Sequence, residues 1–71
     1  MVDFKTLKSD TILAAAYEDG QLYLRHWDGR VIKWCGVSPD VHREIVNSDT
    51  PAEVAYLRLD GHGHEVIRPS N

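Results

Sequence analysis

Two Asp-Gly dipeptides, Asp19-Gly20 and Asp28-Gly29, constrain this chain more than any other feature. Glycine enters the left-handed region without a Cβ clash, so Asp-Gly between apolar stretches is a strong hairpin signal. The flanking residues suit strands: Ile12 to Tyr17 before the first turn, Leu22-Tyr23-Leu24 between the turns, and Val31-Ile32-Lys33-Trp34 after the second. The pattern predicts three strands over residues 12–35, an antiparallel meander.

Burial selects the register of the second hairpin. A two-residue Asp28-Gly29 loop pairs Trp27 with Arg30 and Leu24 with Lys33, which mixes both faces. A three-residue loop, Trp27-Asp28-Gly29, pairs His26 with Arg30, Leu24 with Ile32 and Leu22 with Trp34. Apolar residues then share one face, with Gly29 left-handed as a bulge. The other face carries Arg25 with Val31, Tyr23 with Lys33 and Gln21 with Cys35. The first turn leaves two registers open. A three-residue loop points Ile12, Ala14 and Ala16 inward; a two-residue loop points Leu13, Ala15 and Tyr17 inward.

A helix is predicted next. Ser38 suits its cap, Pro39 its first position and Asp40 the N-terminal end of its dipole. Val41, Ile45 and Val46 make its apolar stripe, and Asn47-Ser48-Asp49 ends it. Thr50, followed by Glu53, is a second start signal. Residues 54–59 then fit a short helix or an alternating strand, and the capping chemistry favours the helix. Gly61-His62-Gly63-His64 interrupts the chain, and 61–71 is expected as a loose tail. The expected fold is α+β: a three-stranded antiparallel β-meander packed on one α-helix, with a short C-terminal helix or strand. Its expected core is Leu22, Leu24, Ile32, Trp34, Val41 and Ile45.

Seventy-one residues make one domain, residues 1–71, with a thin core. The single cysteine, Cys35, excludes an intramolecular disulfide and a cysteine-built zinc site. The longest apolar run, residues 12–17, is far short of the roughly 20 needed to span a bilayer. The first residues lack the basic start and apolar stretch of a signal peptide. The expectation is a cytoplasmic protein with no membrane partner.

Several short motifs add a family resemblance. They are Ser9-Asp10-Thr11-Ile12, Ala16-Tyr17-Glu18, the alternation Leu22, Leu24, His26 before Gly29, and Ile32-Lys33-Trp34. Val37-Ser38-Pro39 at the helix start, Val41, His42 and Ile45 along it, Ser48 to Ala52, and Val54-Ala55-Tyr56 complete the set. In this order they resemble the KTSC domain, a small bacterial domain found alone and at the C-terminus of some lysyl-tRNA synthetases. The likeness runs ungapped over about residues 9–60. Ile32 and Trp34 replace both tyrosines of the family's central Tyr-x-Tyr motif, Ala52 replaces a family glycine, and the Tyr-Phe-Asn motif is not kept. The resemblance implies a small binding domain and, through the synthetase association, RNA as partner.

The net charge of −3 argues against a general nucleic-acid binder. Residues 21–34 run the other way, with Arg25, Arg30 and Lys33 against Asp28. The register puts Tyr23, Arg25 and Lys33 on the outer hairpin face, with Trp27 and Arg30 at its tip. Rings between cations on a sheet suit single-stranded RNA, whose bases stack while Arg and Lys meet phosphates. The expected function is a non-catalytic binding module, with weak RNA binding through the outer face of the 21–35 hairpin. The alternative is a protein-interaction or self-association module using an exposed sheet edge.

His62-Gly63-His64, with His26 and His42, invites a metal site. Zinc needs three or four fixed ligands, and this glycine-rich segment supplies two. No metal and no cofactor are expected. Cys35 falls opposite Gln21 with no histidine placed near it, and Ser48 and Asp49 read as helix-end residues. A chain this short leaves little room for a cavity of about 300 Å³, so no catalytic residue and no small-molecule substrate are expected.

Overall fold

A computed structural model describes residues 3–68. The elements are β1 (Lys5–Thr6), β2 (Ile12–Glu18), β3 (Gln21–His26), β4 (Val31–Trp34), α1 (Pro39–Asn47), α2 (Pro51–Arg58) and β5 (His64–Arg68). The strands form one antiparallel sheet in the order β1-β2-β3-β4-β5. The class is α+β as expected, but the sheet has five strands rather than three; of the two C-terminal alternatives, the short helix that the capping chemistry favours is the one present, as α2.

The first hairpin turns in two residues. Glu18 opposes Gln21, and Asp19 (φ 52°) and Gly20 (φ 77°) are both left-handed. This twist matches that of the flanking strands. Ala15 and Tyr17 therefore oppose Leu24 and Leu22. A bulge between Ile12 and Ala14 then shifts the register, so Ile12 opposes His26 and is buried while Leu13 is 40% exposed. The inward set thus combines parts of both open registers. The second hairpin has the expected three-residue loop. Leu22 opposes Trp34, Tyr23 Lys33, Leu24 Ile32 and Arg25 Val31. Gly29 has φ 89°, and its N–H donates to the His26 carbonyl at 3.0 Å. Asp28 Oδ1 accepts the Arg30 N–H at 3.1 Å. Cys35 leaves this ladder; its N–H donates to the Gly63 carbonyl at 2.9 Å.

β5 corrects the expected loose tail. Trp34 opposes His64, Lys33 Glu65 and Ile32 Val66. A bulge then puts Arg68 opposite Val31, which breaks the alternation that would have announced a strand. Residues 69–71 of that tail lie outside the described residues.

Both helices start where the capping residues predict, α1 after Ser38 and α2 after Thr50. Neither hydroxyl makes a capping hydrogen bond. The Thr50 N–H instead donates to Ser48 Oγ at 2.9 Å. Arg58 pairs with Glu44 at 3.1 Å and ties α2 to α1. Leu22, Leu24, Ile32, Val41 and Ile45 are buried as expected. Leu7, Ile12, Ala15, Val37, Ala55 and Leu59 join the core. Trp34 is only partly buried and packs against the core's edge. Tyr17 fixes the α1 entry by donating to the Val37 carbonyl at 2.5 Å.

Candidate binding cleft

α2 packs on α1 more than on the sheet. A cleft of about 510 Å³ is left between α2, the turn that follows it and the helix-side face of the sheet. Ile12, Leu24, Ile32 and Trp34 line its sheet side. Ala52, Ala55, Tyr56 and Leu59 line its helix side. This corrects the expectation that so short a chain lacks room for a cavity. The volume falls within the range of small-molecule sites, about 300–1,000 Å³.

The polar groups here are mostly histidines. His26, His62 and His64 all border the cleft, with Asp60 at the turn. Burial, and then the Arg30 cation, hold the His26 imidazole below its ordinary value of 6.5, partly opposed by Asp28. His26 is therefore neutral at pH 7. Its Nε2 and the Trp34 Nε1 are closed off from solvent and have no hydrogen-bond partner. An indole N–H is a donor only, and leaving one buried and unpaired costs about 1–3 kcal/mol. The His64 ring lies 4.7 Å from that of Trp34, tilted by 32°. His62 Nδ1 sits 3.1 Å from the Cys35 carbonyl, so a histidine does approach Cys35, through its backbone.

The sequence-predicted residues lie elsewhere. Tyr23, Arg25 and Lys33 share the sheet face away from the helices, while Trp27 and Arg30 sit at the hairpin tip. All but Trp27 have side-chain partners. The Tyr23 hydroxyl donates to Gln21 Oε1 at 3.0 Å. Arg25 stands 4.3 Å over the Phe4 ring. Lys33 meets Glu65 at 3.2 Å, and that hydrogen bond holds its ammonium above the ordinary value. Arg30 lies 3.8 Å from Asp28. Trp27 is 67% exposed, its backbone N–H tied to the Thr11 carbonyl at 2.9 Å. Arg68, placed in the tail by sequence, joins this face beside Val31.

Sequence reasoning missed the helix side of the cleft. The spacing was present, because Ala52, Ala55, Tyr56 and Leu59 recur at i, i+3, i+4 and i+7, but Val54 and Leu57 place apolar residues outside that stripe and blur it. Among the described residues no group of three histidine, cysteine or acidic side chains is placed to hold a metal ion. Nor is any described helix long and apolar enough to cross a membrane. Compared with known proteins, the chain matches no family model and no curated sequence.

Proposed function

We propose that this chain is a non-catalytic binding module whose site is the cleft between α2 and the sheet, and that the site takes an uncharged, largely apolar group. The carrying observation is the 510 Å³ volume lined by apolar side chains. No lysine, arginine or glutamate borders it. Burial keeps His26 neutral, so it offers an anionic ligand no counter-charge, and the one carboxylate at the cleft, Asp60, stands exposed at the turn. The Trp34 and His26 ring nitrogens beside it lack partners but are closed off from solvent, so apolar contact supplies the affinity. The KTSC-like order of elements serves as scaffold in this reading. The residues that depart from the family's central motif, Ile32 and Trp34, both border the cleft. RNA binding through the outer face draws less support. Glu65 neutralises Lys33, Arg25 is spent on Phe4, and the chain as a whole is acidic.

Indole, a small uncharged ring with one N–H, is a suitable probe, followed by amide and indole NMR shifts. Binding at a dissociation constant of about 1 mM or tighter, about −4 kcal/mol, is expected. The Trp34 indole signal and the Leu24, Ile32 and Ala55 amides should move while Trp27 stays put. Ala52→Leu narrows the cleft and should abolish the response. Shifts that spare Trp34, or survive Ala52→Leu, would refute the site.

A further inference from the structure

Resting on the cleft as the binding site, we propose that the cleft is gated by pH: it holds its apolar ligand at neutral pH and releases it on mild acidification. The observation behind this is the kind of base the cleft contains. Its basic side chains are all histidines: His26 at the end of β3, His62 in the turn after α2 and His64 at the start of β5. Histidine is the side chain whose charge changes between about pH 5 and 8. Acid therefore puts cations on three segments of a wall that is otherwise mostly apolar. The one carboxylate there, Asp60, is exposed and leaves that charge largely uncompensated.

His26 is the histidine least able to carry a charge in place. Its Nε2 is closed off from solvent and has no partner. An imidazolium donates from both nitrogens, so protonation leaves an N–H there with neither acceptor nor water. Arg30 and Asp28, in the loop after β3, are the charged groups acting on it, and the cation outweighs the anion. Ile12 opposes it from β2, and Ala55 and Leu59 of the α2 side add no charge. At His62 the Cys35 carbonyl lies 3.1 Å from Nδ1. A carbonyl only accepts, so Nδ1 carries the proton and acid adds one at Nε2. His64 lies against the Trp34 ring, while the neighbouring Glu65 carboxylate is taken by Lys33. A ligand seated in the cleft removes water from the histidines that line it, which disfavours their charged forms. The bound chain therefore holds fewer protons than the free chain, and binding weakens as pH falls. By reciprocity, the ligand lowers the proton affinity of the same histidines.

The test titrates the full chain with indole and with an indole sulfonate, which stays anionic, at pH 7.5 and 5.5, followed by NMR. The indole dissociation constant should rise about fivefold or more at the lower pH, within the limit of about tenfold per pH unit for each proton excluded. Cations in the wall favour the sulfonate, so the ratio of the two constants should swing towards it by about fivefold or more. Loss of fold weakens both ligands alike, so an unchanged ratio overturns the gate. In the parent chain near saturation with indole, the titration midpoints of His26, His62 and His64 should move down. That of His42, which does not border the cleft, should stay. Midpoints that do not move overturn the proposal. Replacing His26, His62 and His64 together by glutamine should remove the pH dependence of indole binding, and a folded variant that keeps it overturns the assignment. Indole that binds equally at both pH values overturns the gate and leaves the cleft standing. No indole binding at either pH removes the cleft reading, and this proposal with it.

Discussion

His26 and His42 are both held below the ordinary histidine value, and in each case burial is the leading cause. A neighbouring cation adds to it, Arg30 at His26 and Lys5 at His42. The sign follows from proton counting. Between the lowered native values and the unfolded value of about 6.5, the unfolded chain binds more protons than the native one. Stability therefore rises with pH there and is lost as pH falls from about 6.5 downward. The urea midpoint should stay level from pH 8 to 7 and drop between pH 6.5 and 5, above the carboxylate range. His26→Leu with His42→Phe should flatten that limb; the phenylalanine keeps a ring against Tyr17, whose centroid lies 5.3 Å from that of His42. An unchanged slope in the double variant would assign the pH dependence to other groups. Neither shift was legible in the sequence, because each depends on what folding brings alongside. Trp34 makes the same point. Its parity on β4 identified the correct face. Its half-burial depends on how far α2 stands from the sheet, which no local pattern encodes.

At the scale of elements, sequence was most informative where backbone chemistry is local. The second hairpin follows from one argument, since only the three-residue loop sorts Leu22, Leu24, Ile32 and Trp34 onto one face. The first hairpin resisted because apolar residues fill both parities of β2, Ile12, Ala14 and Ala16 on one and Leu13, Ala15 and Tyr17 on the other, and the bulge at Leu13 shifts the inward set partway along the strand. β5 escaped for the same reason, with a bulge across from Val31 and Ile32. The first turn can be probed on its own. Nothing lies within 4 Å of a Cβ placed on Gly20, so Gly20→Ala meets no clash and tests backbone strain alone at φ 77°. An L-residue in the left-handed region costs about 1–2 kcal/mol. Chemical denaturation should show a loss of that size with an unchanged m-value. A loss near zero would mean that the loop can shift to another turn type.

The whole molecule depends on its last strand more than that strand's own exposure suggests. β5 buries little of itself, yet it makes β4 an interior strand. It supplies the Glu65 carboxylate for Lys33 and the His64 ring for Trp34, and Gly63 just before it accepts the Cys35 N–H. A chain ending at residue 62 would free the edge of Val31-Ile32-Lys33-Trp34, three of whose four residues are apolar. Domains below about 70–80 residues rarely hold more than about 3–5 kcal/mol in reserve. Losing a strand's ladder should consume most of that reserve, and the new edge should invite pairing between copies. Equilibrium unfolding should place the truncated chain's urea midpoint at half that of the full chain or lower. Size-exclusion chromatography with light scattering should show association that grows with concentration. If the shortened chain stays monomeric with the parent's midpoint, β5 contributes little to the fold. The meander β1–β4 with its two helices would then be the stable unit.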